Sequence, residues 1–178
     1  MRLNLVDASP PVAAALRSAF AAHPEVRVSC GTILDVAEDT LVSPANSLLH
    51  LDGGIDEDYL EFFGRELQEQ VYEIVTSVYD GSVPVGAAFL IATGNERIPR
   101  IIFAPTMEVP GAIEAPNAFF ATSAWLKVVD RHPEIQQVFC PGFGTGVGRL
   151  DPDVAAREME HAFSKWKARR RDESAQSS

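Results

Sequence analysis

The feature that narrows the fold most is a set of short, unbroken apolar runs, of which Ile101-Ile-Phe-Ala104 is the clearest. A strand with one wet face alternates apolar and polar residues, whereas a run that is apolar at every position has both faces covered. Strand-like segments are expected at Leu3 to Val6, Val26 to Cys30, Thr40 to Ser43, Gly86 to Ala92, Arg100 to Ala104 and Gln137 to Cys140. Between them the apolar spacing changes to three and four. Val12, Leu16, Ala19 and Phe20 follow Pro10 and Pro11, with Ser9 placed to cap a first helix that stops at His23-Pro24. Leu60, Phe63, Leu67, Val71, Ile74 and Val78 mark one face of a single helix of about twenty residues. Ala115-Pro-Asn117 opens a third helix through Phe120, Ala124 and Val128, and Asp151-Pro152 caps the last, whose stripe is Ala155, Met159, Phe163 and Trp166. Gly31 to Asp35 reads as a turn. Strands alternating with helices imply the α/β class: a three-layer α/β/α sandwich around a mostly parallel, mixed central sheet.

Length and charge bound the rest. The chain of 178 residues, 46% hydrophobic, fits one domain over residues 1–168. Residues 1–25 read as an additional strand-helix unit at its edge, and residues 169–178 as a polar, disordered tail. Fifteen Lys and Arg against 25 Asp and Glu give a formal charge of −10, which opposes nucleic acid and anionic membranes as partners. A small anion bound by backbone amides is still allowed. The basic run Lys165 to Arg171 reads as a complement to the helix dipole followed by a frayed end. No segment has the length of a membrane span or the apolar core of a signal peptide, so a cytoplasmic protein is expected. Cys30 and Cys140 lie in strand-like runs without Cys-x-x-Cys spacing and read as buried thiols. The histidines are dispersed, and neither a metal nor a cofactor is implied. Nothing fixes the oligomeric state.

The ligand-binding chemistry is concentrated in loops that follow two of the strands, where open parallel sheets bind their ligands. The first is Ser43-Pro-Ala-Asn-Ser-Leu-Leu-His-Leu-Asp-Gly-Gly-Ile-Asp56. Gly53 and Gly54 can take positive φ, Asn46 offers a donor and an acceptor, and Asp56 stands at the positive end of a helix. Asp56 reads either as a base or as a helix-start carboxylate favoured by the dipole. Asn46 reads as a ligand contact or as a turn-forming asparagine, and His50 as a solvated loop histidine. The second loop is Pro141-Gly-Phe-Gly-Thr-Gly-Val-Gly148. Its alternating glycines allow several N–H groups to converge on an oxyanion such as a diphosphate. It matches neither the G-x-G-x-x-G dinucleotide fingerprint nor a Walker loop.

In this order the two loops resemble those of the macrodomains, a family that binds ADP-ribose. Val42-Ser-Pro-Ala-Asn46 with Asp52-Gly-Gly-Ile-Asp56 resembles the family's first ligand loop, Pro141 to Gly148 its diphosphate loop, and Gly86-Ala-Ala and Ile101 to Thr106 its central strands. The resemblance implies that Asn46 contacts the distal ribose, that Gly53, Gly54 and Ile55 wrap that ribose and its phosphate, and that Asp56 activates a water. It also places Ser43, Thr106, Gly142, Phe143, Gly144, Thr145, Gly146, Val147 and Gly148 at the ligand. Where many members have an aspartate for the adenine amino group, Gly31-Thr32-Ile33 stands here; Thr32 and Ile33 are then the base-side residues, with Asp7 or Asp35 as possible substitutes. The implied partner is ADP-ribose or an ADP-ribosylated protein. Three functions are compatible: a hydrolase removing mono-ADP-ribose from side chains or related esters, a non-catalytic ADP-ribose or nucleotide-binding module, and an unrelated nucleotide-dependent enzyme such as a methyltransferase.

Overall fold

The computed structural model describes residues 1–176. Its centre is a sheet of six strands in the order β2-β1-β6-β3-β5-β4. These are β1 (Arg2–Asp7), β2 (Val26–Cys30), β3 (Thr40–Ser43), β4 (Phe89–Ala92), β5 (Arg100–Phe103) and β6 (Gln137–Cys140). Every pairing is parallel except β4 with β5. Unbroken apolar runs arise because alternate residues serve opposite layers. On β5, Ile102 enters one core while Ile101 and Phe103 enter the other, and on β6 Val138 and Cys140 oppose Phe139.

One layer is α1 (Pro10–Ala19), α5 (Ala115–Arg131) and α6 (Pro152–Gln176), packed through Leu16, Trp125 and Phe163. The other is α2 (Ile33–Val36), α3 (Ile55–Phe63) and α4 (Arg65–Tyr79), packed through Tyr59, Leu67 and Val71. At the end of the sheet away from the strand-end loops, the Asp39 carboxylate accepts from the N–H groups of Gln136 and Gln137 at 2.8 and 2.7 Å and pairs with Arg100. One side chain thereby ties the starts of β3, β5 and β6.

Several expectations are corrected. The first strand is not at the edge: β1 lies between β2 and β6, and β2 takes the edge. That leaves Cys30, on β2, exposed, whereas Cys140 is buried as expected. Ser9 makes no side-chain cap; instead its N–H donates to Asp7. The turn after β2 contains the short helix α2. The single long helix is two, because Gly64, at φ 84°, breaks the chain between α3 and α4. The tail expected at residues 169–178 is helical as far as Gln176, since Arg169 and Arg170 both pair with Asp130 of α5 and Arg170 stacks on Trp166. Residues 177 and 178 lie outside the described part. Among the described residues no helix is long and apolar enough to cross a membrane.

Candidate functional site

Strand order sets the order of the site. Along the ends of the parallel strands, Thr32 follows β2, Asp7 closes β1, Gly142 to Gly148 follow β6, Asn46 to Asp56 follow β3, and Thr106 follows β5. Adjacent strands are about 4.8 Å apart, so these parts form a line. They enclose one cavity of about 500 Å³. Asn46, Gly53, Gly54, Ile55, Asp56, Thr32, Ile33, Thr106, Gly142, Gly144, Thr145, Gly146, Val147 and Gly148 all line it. Ser43 and Phe143 do not: both are fully buried, Ser43 behind Asp56 and Phe143 in the core beneath α6.

At the β3 end, Gly54 (φ 61°) turns the chain into α3 with no side-chain cap. Asp56, in the first turn, directs its carboxylate away from a capping role: Ser43 Oγ donates to its Oδ1 at 2.5 Å. Only 7% of Asp56 is exposed. Burial raises its pKa to about 6, against the smaller opposing effect of the Ser43 hydrogen bond. Tyr59, one turn on, is wholly buried with its hydroxyl donating to the Val42 carbonyl at 3.4 Å. Asn46 is largely committed to its own loop, its Oδ1 accepting from Leu48 N–H at 3.0 Å and its Nδ2 donating to the His50 carbonyl at 3.3 Å. That loop is fixed to the next strand by Ser47 N–H on the Met107 carbonyl and Thr106 N–H on the Ala45 carbonyl. His50 is exposed.

In the β6 loop the glycine carbonyls are engaged, whereas the amides from Gly144 onward are not. Gly144, Gly146 and Gly148 accept from the N–H groups of Leu150, Arg149 and Ile113 at 2.9, 3.0 and 2.9 Å. Gly142 N–H donates to Asp7 Oδ2 at 3.0 Å and Phe143 N–H to Met159 Sδ at 3.3 Å. The N–H groups from Gly144 to Gly148 meet no acceptor among the described residues. The loop is also sterically closed on itself, for a Cβ at Gly148 would stand 2.6 Å from the Gly144 carbonyl oxygen.

The ionisable side chains lining the cavity are Asp7, Asp52, Asp56, Asp58, His50 and the buried Tyr59, with no Lys or Arg. No group of three or more His, Cys, Asp or Glu side chains able to hold a metal ion forms among the described residues. Asp7, in the sequence only a possible substitute for the missing base-side aspartate, lines the cavity directly. Its position at the end of a parallel strand was the available signal, but placing β1 at the sheet edge moved it away from the centre of the site. Asp35, the other suggested substitute, does not line the cavity.

A family profile described as the Macro domain matches residues 42–159, which include both loops. The chain belongs to the macrodomain family. An uncharacterized protein of Aquifex aeolicus is 33% identical over 143 residues, covering 80% of this chain and 82% of its own length. Among solved structures, the macrodomain of Mycobacterium tuberculosis DarG superposes with a TM-score of 0.66 at 22% identity, covering 77% of this chain and 88% of that one. Thermosipho africanus DarTG in complex with ADP-ribose gives 0.61 at 14% identity, covering 76% of this macrodomain and 37% of that chain. The methyltransferase alternative is withdrawn, because this macrodomain belongs to a different family.

Proposed function

We propose that this macrodomain binds ADP-ribose or a related ADP-ribosyl compound and hydrolyses mono-ADP-ribose from protein side chains or related esters. The observation that carries the proposal is the buried Asp56 carboxylate at the wall of a cavity that also presents the free N–H groups of Gly144 to Gly148. The β6 loop lies between β1 and β3 in the line of strand ends. A diphosphate on its amides puts one nucleoside end toward Asp7 and Thr32 and the distal ribose toward Asn46 and Asp56. At the first end, Val6, Val12 and Ile33 offer apolar walls, and the Asp7 carboxylate keeps lone pairs for an amino group after accepting from Ser9 and Gly142. Thr32 alone offers only a hydroxyl there.

At the distal end, Asp56 takes the proton of a water whose oxygen attacks the anomeric carbon. The bond from that carbon to the side-chain carboxylate breaks, and the carboxylate leaves with the electron pair. Ser43 fixes the rotamer of the base, and a pKa of about 6 keeps Asp56 ionised yet basic near neutrality. The second reading, binding without turnover, rests on Asn46, whose amide and carbonyl are already used inside its loop.

Two measurements separate these readings: calorimetry with ADP-ribose, and release of ADP-ribose from a glutamate-modified protein by wild type and Asp56→Asn. Hydrolysis predicts micromolar binding by both proteins and a loss of turnover of about 10²–10⁴-fold in the variant. Equal binding with no turnover by either protein supports the binding module, and absence of binding refutes the proposal.

A further inference from the structure

The cavity does not end at Asp56. His50 and Asp52 also line a second, open groove of about 530 Å³, completed by Leu51, Leu60, Gln68, Glu69 and Tyr72. The groove runs from the mouth of the cavity across the outer faces of α3 and α4. Its floor is held in place by Gln68, whose Oε1 accepts from Leu51 N–H at 3.4 Å and whose Nε2 donates to the Leu49 carbonyl at 3.3 Å. Its walls combine apolar and acidic groups: the half-buried Leu60 and the 69% exposed ring of Tyr72 beside the exposed carboxylates of Asp52 and Glu69. Neither carboxylate forms an ion pair among the described residues, and no Lys or Arg lines the groove.

We infer that this groove docks the polypeptide carrying the modification, selecting an extended segment with lysine or arginine next to the modified residue. This deepens the proposed function and rests on it. A long basic side chain fits both kinds of wall. Its methylene stem covers Leu60 and the Tyr72 ring, and its cation reaches Asp52 and Glu69 or stacks on the ring face. Continuity through His50 and Asp52 brings such a segment to the end of the cavity where the distal ribose and its leaving group would lie. The formal charge of −10 steers basic segments toward the molecule and disfavours acidic ones.

The test uses peptides bearing a single ADP-ribose through a linkage that water does not cleave, so that turnover does not consume them. One peptide has lysines flanking the modified position, one has glutamates and one has serines. Free ADP-ribose serves as the reference ligand. On wild type the lysine peptide is expected to bind about fivefold more tightly than the serine peptide, and the glutamate peptide more weakly still. Glu69→Gln and Tyr72→Ala, both on the exposed face of α4, are expected to reduce the lysine preference while leaving affinity for free ADP-ribose unchanged. Equal affinity for all three peptides with ADP-ribose binding intact overturns the docking site alone. Failure to bind ADP-ribose itself overturns both it and the proposed function. A lysine preference that survives both substitutions overturns the assignment of the groove.

Discussion

The role of base proposed for Asp56 pulls against the stability of the fold, and the balance is measurable. In an unfolded chain an aspartate titrates near 3.8, whereas here burial raises its pKa to about 6. The folded protein therefore holds this proton more tightly than the unfolded one does. The stability Asp56 contributes is fully present below about 3.8 and is lost as pH rises through about 6. Above that, the fold carries a buried carboxylate whose net cost, with the Ser43 hydrogen bond already included, approaches about 3 kcal/mol. Replacement by asparagine keeps an acceptor for Ser43 Oγ and removes the charge. Asp56→Asn is expected to raise the melting temperature at pH 8 and to match wild type near pH 4, as followed by thermal denaturation across that range. A variant less stable than wild type at pH 8 would show that the Ser43–Asp56 hydrogen bond outweighs the burial cost. A stabilising replacement at Asp56 is what a chemical role for the carboxylate predicts.

The β6 loop is the element on which ligand binding and local packing can be separated. Gly148 lies against the Gly144 carbonyl, so a methyl group there forces the turn open, whereas a Cβ at Gly146 meets nothing within 4 Å. Gly148→Ala is expected to weaken ADP-ribose binding at least tenfold, because the turn that aligns the amides from Gly144 onward is displaced. Gly146→Ala is expected to fold with unchanged stability. Calorimetry and thermal denaturation on both variants check this, and unchanged binding by Gly148→Ala would show that the loop amides do not hold the ligand. The alternating glycines made this loop legible in the sequence, as the apolar runs did the strands and the spacing of three and four did the helices. What was not legible depended on tertiary context. Leu60, Phe63, Leu67 and Val71 keep their spacing across Gly64, so one helix was expected where the chain breaks into two. Ser43 and Phe143 lie within ligand-loop segments but face inward, one as a support for Asp56 and the other as core. The basic end of α6 looked like a solvated tail because Asp130, which pairs with Arg169 and Arg170, is distant in sequence.

Over the whole molecule, the sign of the charge constrains how a negatively charged ligand can be held. The chain carries −10, and the cavity presents Asp7, Asp52, Asp56 and Asp58 with no Lys or Arg. Attraction to a diphosphate then comes from backbone N–H groups in direct contact with it, which salt screens little. The repulsion from surrounding carboxylates acts over longer distances, and it is screened as the Debye length falls from about 30 Å at 0.01 M to about 10 Å at 0.1 M. Affinity for free ADP-ribose is therefore expected to hold constant or to rise by up to about threefold over that range, the reverse of a site built from lysine and arginine. The same screening weakens the attraction between the acidic groove and a lysine-bearing peptide. Calorimetry across the salt series, run in parallel on ADP-ribose and on the lysine-flanked ADP-ribosyl peptide, is expected to give slopes that differ in sign or steepness. A steep loss of ADP-ribose affinity with salt would mean that a cation rather than the β6-loop amides holds the diphosphate. Parallel slopes for the two ligands would mean that the peptide gains nothing from the carboxylates outside the cavity.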